Sequence, residues 1–218
     1  MREANAIQTI LASTGCLPIT RLNDQEATVA AVLQCMKECN WIHLACHGVQ
    51  DATSATDSAF LLIDGRLTLK ETMKQSFSHT ELAVLSACQT AKGDKNLHDE
   101  AIHLAAGMPV AGYGSVVASM WSIRDEDGPI IAEQFYKYLV EEGGGGGGRA
   151  AYALHNAVAH LRDVRGEKVG CHLSTSVSVL LLRMMLGFPG LHNELGTSGP
   201  SIRLPHLLWP SSFIGCRV

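Results

Sequence analysis

Trp41-Ile42-His43-Leu44-Ala45-Cys46-His47-Gly48 and Leu82-Ala83-Val84-Leu85-Ser86-Ala87-Cys88-Gln89-Thr90 are two short apolar runs that each end on a reactive side chain. A run of this length bounded by polar or turn residues is the mark of a buried strand. In an open parallel sheet, groups just past the carboxyl ends of neighbouring strands converge on one crevice. If these two strands are neighbours, the His47 imidazole and the Cys88 thiol meet there without being adjacent in sequence. That pattern suits a cysteine nucleophile served by a histidine base.

Segments on either side repeat a strand–helix order. Residues 1–16 read as a helix, Leu17–Thr20 as a strand and Thr28–Cys39 as a helix, with Ala27, Ala30, Ala31, Leu33, Cys35 and Met36 at roughly helical spacing. Phe60–Ile63 and Leu67–Leu69 flank Asp64-Gly65, a type I′ hairpin signal. A helix around Lys70–Ser76 precedes the second run. Beyond it, Glu100–Met108 reads as a helix ended by Pro109, and Ser115–Ile123 as a buried strand. Pro129 opens a long helix to Glu142, and Ala150–Val164 forms another. Gly143–Gly148 joins those two helices as a flexible segment reaching about 13 Å. The alternation implies an α/β domain, a parallel sheet with helices on both faces.

Within the first strand, alternation puts Trp41, His43 and Ala45 on one face and Ile42, Leu44 and Cys46 on the other. His43, mid-strand, reads as a satisfied structural histidine. His47 stands at the strand end, free to turn into the crevice. Gly48 lets a substrate approach the backbone closely. Its amide and that of Cys88 form an expected oxyanion site, where losing one donor costs about two to three orders of magnitude in rate. A thiol with a reference pKa near 8.5 is only a few per cent thiolate at neutral pH. A nearby imidazole that takes its proton, and later gives it to the leaving amine, makes the pair a dyad.

Composition removes other classes. The 218 residues suffice for one domain with a proper core. A net charge of −4 leaves no basic footprint for nucleic acid. The longest apolar stretch, Val177–Phe188, holds Ser178 and Arg183 and is too short to cross a bilayer, so no membrane association is expected. Residues 1–5 lack the features of a signal peptide. Seven cysteines without disulfide spacing suit a reducing, cytoplasmic setting.

Ala45-Cys46-His47-Gly48, the Asp64-Gly65 hairpin and Leu85-Ser86-Ala87-Cys88-Gln89-Thr90-Ala91 together closely resemble the CHAT domain, a caspase-like module. The likeness continues through Asp99–Met108, Met120-Trp121-Ser122-Ile123 and Phe135-Tyr136, over roughly residues 1–165. It implies a three-layer α/β/α sandwich with a mainly parallel sheet, in the clan of caspases, separases and gingipains. It also implies a general base at His47 and a nucleophile at Cys88. The expected function is a cysteine endopeptidase acting on a protein or peptide, with no metal or organic cofactor, regulated by an adjacent sensor or repeat-containing region. The alternative is a catalytically silent caspase-like scaffold. Relatives close the domain with a final strand after the last helix. Residues 169–218 depart from that pattern and read as a divergent, irregular tail after a domain spanning 1–168, with Leu207–Trp209 as an edge-strand candidate.

Peptidases of this clan often select a charged residue before the cleaved bond. Asp94 and Asp125 are the expected substrate-binding carboxylates for an Arg or Lys side chain; Glu126 and Asp127 stand nearby, Asp127 as the cap of the helix opened by Pro129. A metal site drawn from Cys35, Cys39, His43, Cys46 and His47 is disfavoured, because His43 and Cys46 point to opposite faces and no paired Cys-x-x-Cys spacing occurs. The Gly143–Gly148 run lacks the Lys-Ser/Thr ending of a phosphate loop and follows a helix.

Overall fold

Thr28 caps the helix that follows it by accepting the Ala31 amide through its side chain, and Thr68 and Glu71 close a capping box. Such local signals set where helices begin; apolar faces then decide which side of the sheet they cover. The computed structural model describes residues 2–14, 18–51, 53–86, 101–119, 124, 126–141, 149–166, 179–183 and 213–217. In chain order the elements are α1 (Arg2–Thr14), β1 (Ile19–Asn23), α2 (Val29–Glu38), β2 (Trp41–Ala45), β3 (His47–Val49), β4 (Ala59–Leu62) and β5 (Gly65–Thr68). They continue with α3 (Leu69–Lys74), β6 (Leu82–Leu85), α4 (Ala101–Ala111), β7 (Ser115–Ser119), α5 (Asp127–Glu141), α6 (Ala150–Arg165), β8 (Val179–Arg183) and β9 (Phe213–Arg217).

Six strands form the main sheet in the order β1-β9-β2-β6-β7-β8, all parallel except β8, which runs antiparallel to β7. A small antiparallel sheet, β3-β4-β5, branches from the end of β2. One face of the main sheet presents Ile42, Leu44, Ala83, Leu85, Val116 and Ala118 to α2, α3 and α4. The other presents Trp41, Leu82, Val84 and Val117 to α1, α5 and α6. The alternation along β2 therefore falls as the pleat requires, and the fold is the expected α/β/α sandwich.

Three local expectations are corrected. The hairpin pairs Leu62 with Gly65, so its two-residue turn is Ile63-Asp64 and not Asp64-Gly65. None of those residues has positive φ, which a type I′ turn requires at both central positions. Tertiary anchoring sets the turn instead: Asp64 Oδ1 accepts the Val29 amide at 2.8 Å, and the Ile63 amide donates to the Ala27 carbonyl at 3.2 Å. Pro109 does not end α4. It lacks only its own donor, and the last turn closes through Gly112 N–H to the Pro109 carbonyl and Tyr113 N–H to that of Met108. Within the segment read as an irregular tail, β8 follows the last helix and β9 lies inside the sheet between β1 and β2. Val179-Leu180-Leu181-Leu182 is continuously apolar, so no two-residue alternation betrays it as a strand. Leu207–Trp209 lies outside the described residues.

Gly112 ends α4 at φ 121°, and a Cβ there would strike the Phe77 carbonyl oxygen. Gly112→Ala is expected to lower stability by on the order of 2 kcal/mol, read as a lower urea midpoint. An unchanged midpoint would contradict the strain argument.

Candidate active site

Parallel pairing places Trp41 opposite Leu82 and continues to Leu44 opposite Leu85. The Ser86 amide extends the ladder by donating to the Leu44 carbonyl at 2.9 Å. His47 and Cys88 each follow the last register pair by the same number of residues, Leu44 to His47 and Leu85 to Cys88. At Cys46 the chain bends out of the main sheet. His47, exposed, opens β3 opposite Leu61, and Gly48, buried, pairs with Phe60. The histidine therefore stands at the carboxyl end of a central strand, on the corner where the small sheet begins. Cys88, Asp94 and Asp125 lie outside the described residues, as do Cys16 and Gly143–Gly148.

The other face of the same strand end carries a buried polar chain. His43, 2% exposed, sits among apolar neighbours. Its Nδ1 lies 3.0 Å from the Tyr136 hydroxyl of α5, and its Nε2 lies 3.2 Å from Oε1 of Glu3 in α1. Ser86 lines the same cleft as Glu3 and His43. Burial alone would raise the Glu3 pKa. The nearby His43 ring and Ser86 side chain outweigh that and hold it below its ordinary 4.5. Burial, then the neighbouring Glu3 charge, pushes the Tyr136 phenol well above its ordinary value, so it stays neutral. The 3.2 Å approach of Nε2 to Glu3 is a charge contact and not a hydrogen bond, and Nε2 is buried without a hydrogen-bond partner. These groups line a cleft between the ends of β6 and β7 and the first turns of α5, with Val117, Ala132 and Phe135 as apolar walls.

His43 is thus a buried mid-strand histidine satisfied only in part: Nδ1 meets the Tyr136 hydroxyl, while Nε2 faces Glu3 without a hydrogen bond. Its partners were not legible. Tyr136 looks like one more core aromatic of an amphipathic helix, and nothing about Glu3, at the start of a distant helix, marks it as a ligand of β2.

Of the acidic residues before α5, Asp127 opens the helix but is not solvated. Arg165, the last residue of α6, donates from Nε to its Oδ1 at 2.8 Å, and from Nη2 to Oε2 of Glu126 at 3.2 Å. Each charge also complements the helix end it occupies. Both carboxylates are therefore already paired with a cation. Among the described residues no three His, Cys, Asp or Glu side chains gather as a metal site, and no helix is long and apolar enough to cross a membrane.

A mainly parallel sheet covered on both faces, with a histidine at the end of a central strand and a branching small sheet, defines a caspase-like α/β/α domain. The CHAT domain family model matches residues 1–195, and the chain belongs to that caspase-like, peptidase-related family. No curated protein matches it.

The lowered Glu3 pKa has a definite sign. Because the folded value lies below the ordinary 4.5, Glu3 favours the folded state fully above that pH and loses this contribution as pH falls through the folded value. In urea unfolding, the stability gap between the wild type and Glu3→Gln is expected to be full at pH 6 and to close below pH 4.5. A gap that persists unchanged at pH 3 would show that the charge contributes nothing.

Proposed function

We propose that this domain is a cysteine endopeptidase in which Cys88 is the nucleophile and His47 the base. The observation that carries the reading is the register of β2 with β6: adjacent parallel strands whose continuations reach a histidine and a cysteine after equal intervals. His47 takes the thiol proton as Cys88 Sγ attacks the scissile carbonyl carbon. The amides of Gly48 and Cys88 stabilise the resulting oxyanion. Collapse breaks the C–N bond, the amine leaves with the proton from His47, and water then hydrolyses the thioester through the same imidazole. No metal or organic cofactor enters this sequence.

Asp125 and Asp94 are the carboxylates offered to a substrate Arg or Lys. The pairing of Glu126 and Asp127 with Arg165 supports Asp125 as the acid of that loop left for a ligand. A thiol nucleophile suits a reducing, cytoplasmic setting, and a sensor or repeat-containing region is the partner that would govern it.

Covalent labelling with a peptidyl acyloxymethyl ketone carrying Arg, read by intact mass, tests the reading. One adduct at Cys88 is expected, lost in Cys88→Ala and slowed at least a hundredfold in His47→Ala. Folded protein that remains unlabelled, or labelling indifferent to His47, would favour the scaffold alternative.

A further inference from the structure

The cleft between the ends of β6 and β7 and the first turns of α5 is walled mainly by apolar side chains. Its polar groups gather where Glu3, His43 and Tyr136 meet, with Ser86 and Ser119 at the strand ends. One atom there is left unmet. His43 is 2% exposed, its Nδ1 is taken by the Tyr136 hydroxyl, and its Nε2 is buried with no hydrogen-bond partner. Leaving such an atom unsatisfied in an apolar setting is costly, and a bound group that reached it would remove the cost. Facing it at 3.2 Å, outside hydrogen-bond geometry, is Oε1 of Glu3, an atom that only accepts when ionised. The second carboxylate oxygen, Oε2, lies beside the first turn of α5, where a Cβ on Gly128 would stand 3.5 Å from it.

Charge and size select the occupant. A carboxylate lines the cleft and no Lys or Arg does, so a cation is favoured there and an anion repelled. The space is about 40 Å³, well short of the roughly 150 Å³ that admits benzene, so it holds a few heavy atoms and no aromatic ring. We propose that the cleft is a binding site for a small alkylammonium group, the methylene-ammonium end of a free amine or of a lysine side chain. An ammonium carries three protons, enough to donate to Oε1 of Glu3 and to Nε2 of His43 together. Nδ1 of His43 then keeps the ring proton and donates it to the Tyr136 hydroxyl. The alkyl stem leads out along Val117, Ala132 and Phe135. Nothing is required of Cys88 or His47, so the site stands or falls separately from the peptidase reading.

The test is an amide NMR titration of the full chain, at neutral pH, with n-butylammonium, n-butanol and butyrate. With n-butylammonium, shifts centred on Val117, Ala118 and Ala132 are expected, at a Kd on the order of 1 mM. n-Butanol has the same stem without the charge and should bind at least about tenfold more weakly, and butyrate not at all. Glu3→Gln keeps the shape, removes the charge and should weaken n-butylammonium at least about tenfold. Ala132→Val leaves Glu3 and His43 in place, fills the cleft and should do the same. Each variant is checked for a cooperative urea transition. A lysine-containing tripeptide and its Nε-acetylated form separate the two sources. Tighter binding of the tripeptide than of n-butylammonium, lost on acetylation, assigns the group to a polypeptide; equal or weaker binding assigns it to a free amine. Equal affinity for n-butanol and n-butylammonium, shifts centred away from the cleft, or affinity unchanged in Glu3→Gln would each overturn the site. Should Glu3→Gln fail to fold, undiminished affinity in Ala132→Val overturns it equally.

Discussion

Pairing between β2 and β6 is the constraint on which the rest depends. Parallel strands hydrogen-bond in a fixed stagger, and a slip by one residue would turn every side chain to the opposite face. With Leu44 opposite Leu85, one face of β2 is apolar throughout while the other puts His43 under α1 and α5. The same register sets the levels at which the two chains leave the sheet. It is held by burial on both faces, since Ile42, Leu44, Ala83 and Leu85 meet one helical layer and Trp41, Leu82 and Val84 the other.

The two faces solve different problems. Beneath α2, α3 and α4 the packing is apolar and close: a Cβ on Gly107 would collide with the Leu69 side chain, so α3 and α4 approach at a point where only hydrogen fits. Beneath α1 and α5 the packing includes a carboxylate, an imidazole and a phenol, with the imidazole bonded to the phenol and facing the carboxylate. A buried ion pair is weak evidence for stability.

Most of the architecture was legible because strand and helix here carry ordinary signals. The strand at Trp41 and the helix after Thr28 were bounded by a cap and by alternation that the folded chain respects. What escaped were features set by distant partners. The hairpin turn moved by one residue because Asp64 is recruited by the amide of Val29. β8 was missed because its continuous apolar run has no period to read, and β9 because Gly215 interrupts a strand too short to show alternation. At the site, His47 and Gly48 stand at the strand end as their sequence position implies, whereas the Glu3–His43 contact joins residues far apart in the chain and has no local signature. Asp127 was recognisable as the start of a helix, but its Arg165 partner lies thirty-eight positions away.

That clasp between Arg165 and the Glu126-Asp127 pair has a consequence for how the chain tolerates change. It ties the last residue of α6 to the first of α5, so the helical hairpin is latched at the end opposite its own connection. Relative placement of the two helices then depends on that latch and on their packed faces, not on the length of the segment between them. Lengthening such a connection costs only the slow logarithmic growth of closure entropy, about 0.6 kcal/mol per doubling. The six glycines at 143–148 therefore occupy a place where sequence can drift, expand or accept a graft while the strand ends across the domain keep their register.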